Sequence, residues 1–160
     1  EVVSKTIDHT IDKYDARVIL IPMHYPEDLE ISLQVFEHVG SNHCYVLRDQ
    51  YNVEEIMGVI HRLDLIVAMR LHSLIYAAGQ EVPMVGLVYD PKVEGILKSL
   101  GMNYMSNVDH LDFDELINHI DMVWKNREEL KDRLKLQDIE LKKKALSNVT
   151  MALGLLEVGE

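Results

Sequence analysis

Apolar residues along the chain fall into two alternating rhythms. Val3, Ile7, Ile11 and Tyr14 are spaced to share one helical face. The run "RVILIP", Arg17 to Pro22, is short, β-branched and closed by proline, so it reads as a buried strand. "EDLEISLQVFEHVG" then carries Leu29, Leu33 and Phe36 on a helical period and stops at Gly40. The pair recurs. "HCYVL" is a strand and "NVEEIMGVIHRL" a helix, with Asn52 as N-cap and Glu55 as its capping-box partner. "DLIVAM" precedes the helical "LHSLIYAAGQ", and "PMVGLVY" precedes "PKVEGILKSLG", where Pro91 opens a helix and Gly101 closes it. "NYM" is a candidate last strand. From Phe113 to about Val149 the pattern is helical, with Leu116, Ile120, Val123, Trp124, Leu130 and Leu134 along one stripe, and the tail "LGLLEVGE" reads as loose.

Strands apolar on both faces, each followed by a helix, predict a parallel sheet reached by helical crossovers. The expected fold class is α/β, a doubly wound, mainly parallel, Rossmann-like sheet in one domain over 1–160, with 112–150 as a C-terminal helical segment. The chain opens on a helix without methionine and reads as a fragment.

Charge and cysteine content narrow the partners. Twenty-seven acids against 16 bases give −11, which argues against nucleic acid, whose phosphates need a basic surface. The lone Cys44, in a strand context, is expected to be a buried, inert thiol in a reducing compartment. No apolar run reaches the ~18 residues of a membrane span and no signal peptide is evident, so the expected setting is cytoplasmic.

In open parallel sheets, ligands gather beyond the carboxyl ends of the strands. Arg70 and His72 follow "DLIVAM", Tyr89, Asp90 and Lys92 follow "PMVGLVY", and Met23 and His24 follow "RVILIP". Three strands thus deliver polar groups to one expected sheet edge. Arg70 offers a planar fork beside a helix N-terminus, which suits a carboxylate or phosphate; the bland alternative is pairing with a nearby acid. His72, on the first helical turn, suits acid catalysis or anion contact, against a histidine simply bonded to a loop. Lys92 adds a flexible point charge. Asp90 is better explained as a helix cap, and His24 stands evenly between binding edge and loop. GxGxxG, GxxxxGK[ST], CxxC and HExxH are all absent, so a dinucleotide fingerprint, a P-loop and these zinc motifs are not indicated; no cofactor is expected.

"AMRLHSLIYAAGQEVPMVGLVYDPKV" resembles the C-terminal signature of the polysaccharide pyruvyl transferases, in particular bacterial cell-wall enzymes that prepare polysaccharide for S-layer attachment. The matching parts are Arg70, Leu71 and His72, the small-residue helix, the strand ending in Tyr89 and Asp90, and Pro91 and Lys92. "LIPMHYPED" resembles the family segment P-M-x-x-x-x-D, with His24 where glutamine is commoner. The resemblance covers about Val18 to Gly101.

That resemblance implies the C-terminal, donor-holding half of a two-domain fold like that of B-type glycosyltransferases, with a further strand ahead of the opening helix. It implies phosphoenolpyruvate as donor substrate, a pyruvate ketal as product, a lipid-linked sugar such as N-acetylmannosamine as acceptor, and an acceptor site on the absent N-terminal domain. Arg70, Leu71, His72, Asp90, Lys92 and His24 would form the donor site, Arg70 and His72 being catalytic. The fragment alone would be inactive.

Two rivals remain at this level: the donor half of a nucleotide-sugar glycosyltransferase, and a non-enzymatic α/β interaction module, which would want acidic rather than basic strand ends. The segment Lys125 to Lys144 carries eight bases and five acids. Its interleaved acids favour docking onto the absent domain or a solvated face over peripheral contact with the inner face of the membrane.

Overall fold

The computed structural model describes residues 1–157 and shows strand and helix alternating as the periodicity predicts. Helix α1 (Val2–Tyr14) leads into β1 (Val18–Leu20), α2 (Glu27–Glu37), β2 (Cys44–Val46), α3 (Val53–Ile60), β3 (Ile66–Ala68), α4 (Leu71–Gly79), β4 (Met84–Val88), α5 (Pro91–Ser99) and β5 (Met105–Asn107). After a short 3-10 turn come α6 (Phe113–Lys125) and α7 (Arg127–Glu157). Local chemistry sets several of these ends. Asn52 and Glu55 form the reciprocal capping box at α3. At α5, Asp90 accepts from the Lys92 N–H and Pro91 occupies the first turn. The same helix closes with Gly101 at φ 68° while the Met102 N–H reaches back to the Leu97 carbonyl at 2.9 Å, a left-handed ending that glycine adopts without Cβ strain.

All strand pairings are parallel, but they form two sheets, β1–β2 and β3–β4–β5, where the sequence predicts one. The strands are short, and Pro22, just past β1, has no N–H with which to extend a ladder. Burial on both faces also proves too general. It holds for the first residues of β4, whereas Tyr45 in β2 and Val67 in β3 are 48% and 38% exposed. The last strand lies at Met105–Asn107, slightly later than "NYM". The long helical segment breaks at Asn126, and helix continues to Glu157 through most of the tail read as loose; residues 158–160 lie outside those described.

Most of the core sits around β3–β4–β5. Leu74, Met84, Leu97, Met102, Leu116 and Leu134 are fully buried there, with α4 against α5 and α7, and α6 against β4 and β5. Gly86 in β4 lets α5 come close, since a Cβ at that position would overlap Leu97. A smaller cluster of Ile7, Ile11 and Cys44 backs β1–β2. Burial pushes the Cys44 thiol up, in keeping with an inert side chain. Among the described residues no helix is long and apolar enough to cross a membrane.

Candidate functional site

A cleft of about 450 Å³ opens beyond the carboxyl ends of β1, β3 and β4. All six residues singled out from the sequence line it: His24, Arg70, Leu71, His72, Asp90 and Lys92. Although β1 belongs to a different sheet, its strand end still reaches the same space as those of β3 and β4. The site therefore straddles the seam between the sheets.

Asp28, in the first turn of α2, closes that seam. Its Oδ2 accepts the backbone N–H groups of Met23 at 3.2 Å and His24 at 2.9 Å, and also the Nε–H of Arg70 at 3.2 Å; its Oδ1 accepts from Arg70 Nη2 at 2.6 Å. This two-pronged pairing fixes both the β1 loop and the guanidinium plane. Burial pushes the Asp28 carboxyl up, but hydrogen bonds from Arg70 and the two N–H groups, with the arginine charge, outweigh it and hold the carboxyl below the usual range. Conversely, the Asp28 hydrogen bond leads the effects that raise the pKa of Arg70, with the Tyr89 phenol adding to them. The sequence reading offered Arg70 both an anion and an acidic neighbour. The acid is Asp28, and Nη1 is the terminal guanidinium nitrogen that Asp28 does not engage.

Arg70 is also the N-cap of α4, with no side-chain cap hydrogen bond. That contrasts with α3 and α5, whose first turns each donate a backbone N–H to the capping side chain, Asn52 or Asp90. The unsatisfied N–H groups and positive dipole end of α4 thus stand at the cleft beside a guanidinium. His72, on that first turn, is exposed, its ring 6.2 Å from that of Tyr76. Lys92 is exposed and has no ion-pair partner among the described residues, while the Asp90 carboxylate is occupied as a cap. His24 lies at the rim, its Nδ1 3.1 Å from Glu27 Oε2. Two permanent cations and an open helix end give the cleft a charge and hydrogen-bond donors suited to an anion, despite the acidic chain around it.

Asp28 is the residue that reading by type and position underrated. It appears in the P-M-x-x-x-x-D segment, but its partner is 42 positions away, and nothing local to either residue signals the pairing. Tyr76 and Val93 also line the cleft. Among the described residues, no three His, Cys, Asp or Glu side chains gather as metal ligands would.

Comparison with known proteins matches residues 1–91 to the family model described as polysaccharide pyruvyl transferase. The match takes in every cleft residue named above except Lys92 and Val93, which fall just beyond it. A curated relative, the amylovoran biosynthesis protein AmsJ of Erwinia amylovora, is 27% identical over 116 residues. That alignment covers 71% of this chain and 28% of the relative, so the chain corresponds to a minor part of that protein's length. No solved structure matches the chain.

Proposed function

The chain belongs to the polysaccharide pyruvyl transferase family, and from that premise we propose that its cleft holds phosphoenolpyruvate and contributes the donor side of a transferase that builds a pyruvate ketal on a sugar of a cell-wall polysaccharide precursor. One observation carries the reading: the open N-terminus of α4, Arg70 and Lys92 converge on a single cleft. Phosphoenolpyruvate presents a phosphate and a carboxylate only a few bonds apart, and both seek such donors.

Overall, the donor's enol methylene gains a proton and becomes a methyl group. Two hydroxyl oxygens of one sugar bond to the carbon that carried the phosphate, and the C–O bond to phosphate breaks. Of the two hydroxyl protons lost, one balances the methyl group and the other leaves with inorganic phosphate. In this scheme Arg70, held in plane by Asp28, and the α4 N–H groups receive the phosphate, and Lys92 meets the carboxylate. His72 supplies a proton to the methylene carbon or steadies the departing phosphate.

The test is an NMR titration of the chain with phosphoenolpyruvate in one tube and a nucleotide sugar in another. Phosphoenolpyruvate alone should move the amides of Leu71, His72, Ser73 and Lys92, and Arg70→Ala should weaken its binding by about 1.5–3 kcal/mol, the range for hydrogen bonds to charged groups. Shifts with only the nucleotide sugar would reject the reading. In the complete enzyme, His72→Ala should lower kcat more than it changes KM if the imidazole is the acid. Equal losses would assign it to anion contact.

A further inference from the structure

Beside the anion cleft lies a second hollow of about 130 Å³, at the ends of β1 and β2. Met23 and Tyr76 line both spaces, so the two share a wall. Their chemistry differs. The larger space is lined by Arg70 and Lys92, whereas the residues lining the smaller include no lysine, arginine or histidine. It is lined instead by Tyr25, Tyr51 and Tyr76, with Asp49 and Gln50. Tyr25 and Tyr51 are 43% and 38% exposed, a large apolar area to leave at the rim of a cavity. Neither phenol, nor the Asp49 carboxylate, nor the Gln50 amide has a hydrogen-bonding or ionic partner among the described residues.

We infer that this hollow is a sugar subsite, seating one pyranose ring of the acceptor next to the donor. A pyranose has apolar C–H faces and a rim of hydroxyls. Exposed aromatic rings complement the faces, and a carboxylate and an amide supply strong acceptors and donors for the hydroxyls. A lining without cations gives no preference for an anion, so the donor and the hollow's ligand would not compete. A shared wall puts an acceptor hydroxyl near the donor without a long reach. The resemblance implies an acceptor site on a different domain; the hollow places part of it on this chain. Calling the bound sugar an acceptor rests on the donor reading, but binding of a sugar does not.

The experiment titrates the isotope-labelled 160-residue chain with methyl glycosides of N-acetylmannosamine, glucose and galactose, each to about 50 mM so that millimolar affinities register. At least one glycoside should move the amides of Gln50, Tyr51, Asn52 and Val53 in a saturable way. Tyr51→Ala and Asp49→Asn should each weaken that binding by about tenfold or more, leaving the phosphoenolpyruvate response at Leu71, His72 and Ser73 unchanged. The inference is overturned if no glycoside moves the Gln50 to Val53 amides, if both variants bind as the parent does, or if open-chain mannitol produces the same shifts. A sugar response without a phosphoenolpyruvate response would sink the donor reading and leave the subsite standing.

Discussion

The two sheets of this domain are held by unequal means. Around β3–β4–β5 the packing is mostly hydrophobic, with large side chains from α4, α5, α6 and α7 fully buried on or near the strands. Behind β1–β2, among the described residues only Ile7, Ile11 and Cys44 are buried, and the remaining apolar neighbours are half-buried. Polar links join the smaller half to the larger, beside the apolar contacts that Tyr14, Ile21, Met23 and Leu47 make with the main core. Asp28 grips Arg70 at the cleft, and between α1 and α6 Asp121 accepts from Lys13 Nζ at 2.6 Å and from the Tyr14 hydroxyl at 2.5 Å. A small apolar cluster supplies little burial free energy, so directional bonds take over the task of orientation. The candidate site lies on the seam those bonds close.

Cutting one large residue from each core gives the strongest test of this contrast. Leu97→Ala should cost about 3–5 kcal/mol and Ile11→Ala about 2–3 kcal/mol, because the tighter environment relaxes less around a cavity. Denaturant midpoints with unchanged slopes would measure both; equal losses would make the two clusters equivalent.

Asp28→Asn should cost about 1–3 kcal/mol of stability and weaken anion binding in the cleft, since it frees the guanidinium plane and the β1 loop together. Screening of the part-exposed arginine keeps this below the cost of breaking a fully buried pair. The pH dependence has a definite sign. Because the folded carboxyl titrates below its unfolded value, its contribution is fully present above the ordinary carboxylate pKa of about 4 and disappears as pH falls through the lower, folded value. The variant should therefore lose part of the acid limb of the stability curve. An unchanged limb would place the seam's stability elsewhere.

The smallest effect is expected at Tyr14, where burial and then the hydrogen bond to Asp121 push the phenol up to about 12. Its contribution is present below the unfolded value of about 10 and is lost as pH rises from about 10 to about 12. Tyr14→Phe should cost about 0.5–1.5 kcal/mol at neutral pH and flatten that alkaline limb. If the limb persists in the variant, another group governs alkaline unfolding.

Much of this was legible in the chain because it is encoded over short distances. Periodicity located helices and strands, Asn52 with Glu55 and Asp90 with Pro91 marked helix starts, and Gly101 marked an end. The strand-end rule brought His24, Arg70, Leu71, His72, Asp90 and Lys92 to one cleft, since position after a strand is a property of the sequence. Pairings across long separations were not encoded in this way. Whether β1 would hydrogen-bond to β3, which of the many acids would meet Arg70, and that Tyr51 would stand near Tyr76 depend on how the layers pack. The sequence by itself determined the elements and the chemical groups at their ends. Tertiary structure alone decided the split into two sheets, the Asp28–Arg70 clasp between them and the juxtaposition of a cationic cleft with a tyrosine-lined hollow, because contacts between distant residues are settled by packing the whole chain at once.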